Sequence, residues 1–334
     1  MPSFSSLFAG AAAAIHRVGL STAISRAAGY VDPRKAFPIL SYHRVNDEGD
    51  PFFPSLPTAL FEQQMSFVAR SYTVLPVDDL VDRMQRGSVP RNALAITFDD
   101  GYRDNLTHAA PILSRYGLCA TVFLATGAIG TGAPLWFDPL ALAFKQAGPE
   151  PCRAPWGEVL SLQTADQRLR ALGAAQDRLK RMSGPDRQRM LDALLERLGL
   201  SDLGPLKNLM MTWDDVRALL SLGIRVGAHT VTHPILSRLT VAEALAEIRE
   251  SRAAIAQACG SMPRAFAYPN GRGDDYSDAV IRAVQNSGFT CAVTTRFGVN
   301  TARTSPYELR RGTPWESDLP TFALKLAGYR LALA

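Results

Sequence analysis

The chain has few of the residues that cross-link or ligate. Its 334 residues include four cysteines, Cys119, Cys152, Cys259 and Cys291, with no close spacing among them. That pattern excludes a disulfide-framed fold and a thiolate metal cluster, and points to reduced thiols used as small hydrophobes. Only five histidines are present, and none follows His233. No apolar run reaches the length of a membrane-spanning helix. Acidic residues are missing before Asp32, lysine is far outnumbered by arginine, and no internal repeat or low-complexity tract occurs. Nucleic-acid-binding motifs are also missing, so nucleic acid is not an expected partner.

What remains is ordinary for a soluble globular chain: 47% hydrophobic and 20% charged residues, with a net charge of +5. The length is enough for one α/β-barrel domain or two smaller domains. The basic balance suits anionic partners such as membrane surfaces, phosphorylated lipid carriers or acidic glycans. Residues 1–37 carry apolar residues interleaved with alanine and arginine. They suit an amphipathic helix, packed on the domain or lying on a membrane surface. His16 and Arg17 follow the apolar centre rather than precede it, which does not match a signal peptide. The expected location is the cytoplasm, with peripheral contact at the inner membrane face through this segment. Residues 315–334 read as a C-terminal helical tail.

From Pro38 to Pro314 short apolar runs alternate with helical patterns. Ile39–Tyr42, Tyr72–Leu75, Leu94–Phe98, Leu118–Leu124, Ile224–Ala228, Arg264–Tyr268, Thr290–Val293 and Glu308–Arg310 read as strands. Helices are predicted between them, two of them opened by capping boxes at Thr212 and Thr240. The stretch 141–209 breaks the rhythm. It is predicted as a helical insertion with a start at Ser183-Gly184-Pro185-Asp186, presenting either a solvated arginine face or a lid. Alternation of this kind predicts a parallel sheet, an irregular (β/α) barrel of about seven strands.

The chemistry gathers where the strands end. Leu94–Phe98 runs into Asp99-Asp100-Gly101. Two adjacent carboxylates are costly to ionise together unless a cation or a shared proton relieves them, although a simple Asp-Asp-Gly turn satisfies the same residues. Ile224–Ala228 runs into His229-Thr230-Val231-Thr232-His233-Pro234, and Pro234 biases His233 away from helix. Two imidazoles and one carboxylate make a divalent-metal site with open positions, and the second acid is then available as a base. His43 and Tyr268-Pro269 also follow predicted strands, so all four groups fall on one face of a barrel.

Thr97-Phe98-Asp99-Asp100-Gly101 and His229–Pro234 resemble the first two signature motifs of the polysaccharide deacetylases, carbohydrate esterase family 4. Phe266-Ala267-Tyr268-Pro269-Asn270-Gly271 resembles a variant of the third. The resemblance implies that Asp100, His229 and His233 bind a metal and that Asp99 is the catalytic base. It also implies that the Tyr102 backbone N–H stabilises the oxyanion. Tyr268, Pro269 and Asn270 are expected to bind substrate. Zinc is the expected metal, with nickel or cobalt suited to the same ligands. The implied activity is removal of N-acetyl groups from N-acetylhexosamine units of a polysaccharide or a lipid-linked glycan. Two other readings stay open: an amidase or deformylase on a small or lipid-linked N-acyl substrate, and a catalytically silent glycan-binding protein.

The chain departs from the family pattern in three places. The late Leu-x-x-His motif that supplies the general acid is missing, and so is the Asp-x-x-Asp-Trp motif. Ala267 stands where an arginine usually supports the base. The Tyr42-His43-Arg44-Val45 stretch resembles a branch in which motif order is permuted, which assigns the general acid to His43. Arg311 is the candidate replacement for the missing arginine and is grouped with the substrate-binding residues.

Overall fold

We describe a computed structural model, in which residues 23 and 35–331 are described. The predicted amphipathic segment 1–37 lies almost wholly outside the described residues. Among those described, no helix is long and apolar enough to cross a membrane.

A seven-stranded parallel sheet organises the fold. Its strands are β1 (Ile39–Tyr42), β2 (Thr73–Val74), β3 (Ala93–Phe98), β4 (Thr121–Leu124), β7 (Arg225–Ala228), β8 (Ala265–Ala267) and β9 (Cys291–Val293), while β5 (Cys152–Arg153) and β6 (Val159–Leu160) form a separate antiparallel hairpin. The main order is β1-β3-β4-β7-β8-β9, with β2 beside the start of β3. The sheet curls. Leu309 bridges in parallel to Val293 of β9, and Gly312 bridges to Leu40 of β1, so the segment 309–312 links the two edges. Within the predicted last strand, Glu308–Arg310, only Leu309 makes a bridge, and the second lies beyond it at Gly312. A strand buried on both faces needs apolar residues throughout, and β1, β3 and β4 are buried at every position.

Period-two alternation sorts the strand residues into two clusters. Leu40, Tyr42, Leu94, Ile96 and Phe98 pack with the surrounding helices, among them α1 (Thr58–Ser71). Ile39, Ala93, Ala95, Phe123, Ala265, Ala267, Cys291 and Val293 form the other cluster, joined by Val77, Leu80 and Val81 of α2 (Val77–Gln85). Small residues dominate the second group, and that leaves space for large polar groups nearby. Burial raises the Cys291 thiol pKa well above its ordinary value, in keeping with its use as a small hydrophobe; the four cysteines are all free.

The helix after β3 begins with a π-helical turn, Asn105–Ala109, before α3 (Ala110–Arg115). That departs from the plain helix predicted there, and such turns are frequent at functional sites. The insertion starts earlier than predicted, with α4 (Phe137–Gln146), and includes the β5–β6 hairpin, whose two-residue strands are too short to show a period. It continues with α5 (Ala165–Lys180) and α6 (Gly184–Arg197). It has an apolar core of its own, in which Leu140, Phe144, Leu172, Leu179 and Leu194 pack with Phe52 and Phe53. Then come α7 (Trp213–Ser221), α8 (Val241–Cys259), α9 (Asp278–Asn286) and α10 (Leu319–Leu331). The Thr212 and Thr240 capping boxes are both formed. Phe322 packs edge-on against Phe67 of α1, which seats the tail helix on the barrel.

Candidate active site

Four of the seven sheet strands deliver polar residues just past their C-terminal ends, where βα barrels build their sites. His43 follows β1, Asp99 and Asp100 follow β3, His229 follows β7, and Asn270 lies in the turn after β8. They line one cavity of about 610 Å³ together with His233, Tyr102, Asp138, Lys180 and a set of aromatic residues, Phe52, Phe53, Trp136, Phe137 and Trp315.

The loops that hold these residues are conformationally forced. Six described non-glycine residues have positive φ, and four of them belong to this site: Asp100 (77°), Thr230 (66°), His233 (54°) and Asn270 (59°). Such backbone is disfavoured for side chains with a Cβ, and it persists where the surroundings over-determine it. Gly101 (φ 92°) has no alternative, because a Cβ there would lie 2.8 Å from Ile129 Cδ1. The histidine loop is held by Glu247 of α8. Its carboxylate accepts from the Val231 N–H (2.7 Å), the Thr232 N–H (2.9 Å) and the Thr232 hydroxyl (2.6 Å).

Asp100, His229 and His233 converge. Asp100 Oδ1 lies 3.6 Å from His229 Nε2 and 3.3 Å from His233 Nε2. Ligands bonded to one tetrahedral zinc at about 2.1 Å would be about 3.4 Å apart, so the spacing fits a shared cation. The donor chemistry fits as well. His229 Nδ1 lies 2.7 Å from the Ala267 carbonyl, which can only accept, so the proton sits on Nδ1 and the Nε2 lone pair is free for a metal. Burial first, and then the charge of His233, push the His229 pKa down to about 4, so its imidazole is neutral at pH 7. Asp100 Oδ1 is buried without a hydrogen-bond partner among the described residues. A buried lone carboxylate oxygen of this kind is costly unless something binds it.

Asp99 faces a different partner. It is 2% exposed, and the Arg311 guanidinium grips both of its oxygens, with Nη1 to Oδ1 at 2.8 Å and Nη2 to Oδ2 at 2.7 Å. Burial opposes ionisation of Asp99, yet Arg311 outweighs it and holds the carboxyl well below the usual carboxylate range. Arg311 is itself only 2% exposed, and its Nε and Nη1 also donate to the Thr294 carbonyl and the Thr97 hydroxyl. Its grouping with substrate-binding residues is therefore corrected: Arg311 supports Asp99 and does not reach the cavity. His43 Nε2 lies 4.0 Å from Asp99 Oδ2, and the His43 side chain is 39% exposed. Its backbone carbonyl accepts from the Asn105 side chain in the π turn at 2.7 Å.

The other expected substrate contacts divide. Tyr102 lines the cavity. It pairs with Met210 across an antiparallel bridge whose hydrogen bonds run from Arg103 N–H to Leu209 and from Met211 N–H to Gly101. The Tyr102 N–H takes part in neither bond. Asn270 also lines the cavity. Tyr268 does not: it is 1% exposed, stacks on Tyr276 at 4.4 Å and donates its hydroxyl to the Tyr307 carbonyl. Pro269 is buried beside it. Both are corrected to packing residues, because the chain turns toward the cavity only at Asn270.

Asp138, at the start of α4, was not singled out from the sequence. Its Oδ1 accepts from the Tyr102 hydroxyl (2.9 Å) and its Oδ2 from the Leu135 N–H (2.9 Å). Burial, with the nearby Asp100 charge, pushes its pKa up to about 7. Nothing in the Trp136-Phe137-Asp138 stretch marks it as a site residue. Glu247 was missed for a similar reason, since it reads as one more polar position on a long helix.

Comparison with known proteins bears on the family and the fold. The family model described as polysaccharide deacetylase matches residues 86–292, more than half of the chain, and leaves His43 and Arg311 outside the match. The putative polysaccharide deacetylase YxkH of Bacillus subtilis is 33% identical over 95 residues, covering 28% of this chain and 33% of that protein. The poly-beta-1,6-N-acetyl-D-glucosamine N-deacetylase of Escherichia coli K12 is 30% identical over 87 residues, 25% of this chain and 13% of its own length. The alignments thus span a third or less of these relatives. Among solved structures, the Streptococcus pyogenes deacetylase PplD in complex with acetate superposes with a TM-score of 0.59 at 19% identity, covering 87% of this chain and 98% of that one. IcaB from Ammonifex degensii superposes with a TM-score of 0.55 at 18% identity, covering 88% and 97%. At such identities the likeness is one of fold.

Proposed function

The chain belongs to the polysaccharide deacetylase family, hydrolases of acetyl amide bonds, and we propose that it is a metal-dependent de-N-acetylase of N-acetylhexosamine units in a glycan. The observation that carries this reading is the convergence of Asp100, His229 and His233 beside an ionised, arginine-supported Asp99. Asp100, His229 and His233 are the residues that would hold the ion, and zinc suits two imidazoles and a carboxylate. Such an ion supplies Lewis acidity, polarising the acetamide carbonyl and acidifying water.

The chain's own groups account for the remaining steps. Asp99 accepts a proton from the water that attacks the acetamide carbon. Arg311 keeps the accepting form of Asp99 populated at any working pH. The Tyr102 N–H donates to the carbonyl oxygen as it gains charge. His43, on the wall of the same cavity, donates a proton to the sugar nitrogen as the C–N bond breaks, because an amide anion is a very poor leaving group. The products are acetate and a free amine. The aromatic residues around the cavity offer flat apolar faces to sugar rings.

Retention of both Asp99 and Asp100 argues against a silent glycan-binding protein. The test is acetate release from N-acetylglucosamine oligomers by zinc-loaded protein, with formyl and other acyl amides in parallel. Release of acetate only from N-acetyl sugars is the expected result. Turnover of small acyl amides with none of the sugars would move the assignment to an amidase.

A further inference from the structure

One side of the cavity is built differently from the rest. Gln176 and Lys180, one turn apart on α5, line it together with Asn270, Arg272 and Thr295. The Lys180 ammonium reaches the Asn270 side-chain carbonyl at 3.3 Å, its one hydrogen bond among the described residues. No described acid forms an ion pair with it. Asp177 and Asp275 are within electrostatic range, but Asp275 Oδ2 already accepts from the Asn270 side chain (2.5 Å) and the Arg272 N–H (2.7 Å). The Arg272 guanidinium makes neither a hydrogen bond nor an ion pair with any described residue, and it repels Lys180.

Lys180 therefore keeps N–H donors beyond its one bond to Asn270, and the Arg272 guanidinium keeps all of its own, so the cavity wall offers unused cationic donors to the oxygens of an anionic ligand. Lys180 is the last residue of α5, where a cation complements the helix C-terminus. An ammonium pointed at solvent would serve that purpose equally well. Lys180 is instead turned inward far enough for burial to lower its pKa. It lines the same cavity as Asp100, His229 and His233.

Resting on the deacetylase reading, we propose that Lys180 and Arg272 form an anion-binding subsite that selects an acidic N-acetyl sugar, one carrying a carboxylate or a phosphate near the acetamide. The aromatic residues hold the sugar faces. Lys180 comes from the insertion and Arg272 from the barrel loop after β8, so the anion would be gripped where the two meet.

The test is calorimetric titration of the chelator-treated full-length protein with matched probes. One pair is an alternating N-acetylglucosamine–glucuronate tetrasaccharide against the neutral N-acetylglucosamine tetramer. The other is N-acetylglucosamine 1-phosphate against N-acetylglucosamine, and the two pairs separate a carboxylate from a phosphate as the anion. The acidic probe of at least one pair should bind about tenfold tighter, the usual worth of one charge-assisted hydrogen bond. That ratio should fall toward one in Lys180→Gln and in Arg272→Gln, and also with added salt. Arg272 is exposed, so its variant keeps the test open if Lys180→Gln fails to fold. Ratios near one for both pairs in the wild type, or unchanged in both variants, overturn the subsite. A retained acidic preference with no acetate release from any metal-loaded N-acetyl sugar overturns the deacetylase reading and leaves the acidic ligand in place.

Discussion

Arg311 and Asp99 lie 212 positions apart in the chain and meet as a two-pronged ion pair, with both contacts at 2.8 Å or less. The fork geometry matters because both carboxylate oxygens are fixed, which leaves Asp99 one orientation toward the triad and His43. Arg311 belongs to the segment that bridges the two edges of the sheet, so closing the barrel and positioning the base are the same structural event.

Arg311→Met is expected to leave Asp99 buried without its countercharge. Breaking one partner of a buried ion pair costs about 3–5 kcal/mol, and thermal unfolding should report a loss of that order. Arg311→Lys restores charge without the fork, so it should recover part of the stability and little of the rate. A lysine variant with wild-type kcat would show that charge alone, not orientation, is what Asp99 requires.

The metal assignment predicts a linkage that needs no activity assay. Zinc added to chelator-treated protein should raise the thermal midpoint, since a ligand at 100 times its Kd stabilises the folded state by about 2.7 kcal/mol. Asp100→Asn and His233→Ala should abolish most of that rise, with bound zinc measured by elemental analysis. Asp99→Asn should keep the metal and lose turnover, because an amide cannot take a proton. Metal loss in Asp99→Asn, with retention in Asp100→Asn, would reverse the roles of the two acids.

The convergence of Asp100, His229 and His233 was legible in the sequence because buried parallel strands read as apolar runs and these runs stop at polar residues. Phe98 gives way to Asp99 and Ala228 to His229 without an intervening linker. Arg311 was harder to read. A buried arginine looks like a surface one until its partner is placed, and only the gap left by Ala267 drew notice to it. Tyr268 and Pro269 misled because they share a motif with Asn270, and motif membership does not say which way each side chain turns. Asp138, Glu247 and Lys180 act through tertiary contacts from helices, where one polar residue in the sequence resembles another. The short β5–β6 strands carry too few residues to show alternation.

Asp138 offers a pH test on a residue that is not itself one of the three candidate metal ligands. Its folded pKa of about 7 lies above the ordinary value of 3.8, so folding favours the neutral form. The group's contribution is fully favourable below about pH 4 and is lost as the pH rises toward 7, because the unfolded chain gains the ionised form first. Asparagine keeps one acceptor for the Leu135 N–H and presents its N–H to Tyr102, whose hydroxyl donates to Asp138 Oδ1 here and turns to accept in the variant. Asp138→Asn should therefore match the wild type near pH 4 and become progressively more stable than it up to about pH 7. Parallel melting curves across that range would refute a neutral Asp138.

The final prediction tests the proposal that His43 is the general acid. Its Nε2 lies 4.0 Å from Asp99 Oδ2 at the rim of the cavity, and the side chain is exposed enough to reach a departing amine. No other described histidine is placed for the task. His229 and His233 are committed to the triad, and His108 sits on the π turn with Nδ1 bonded to the Thr107 hydroxyl. Loss of a positioned acid slows amide cleavage by about 10²–10⁴-fold. His43→Ala should show a loss in that range on an N-acetyl sugar with its metal content intact. An activated acetyl ester needs little leaving-group protonation, so its hydrolysis should fall far less. The comparison is decisive because structural damage would slow both substrates alike. Equal losses on amide and ester would make His43 a residue that shapes the site and would leave the proton donor to be found elsewhere.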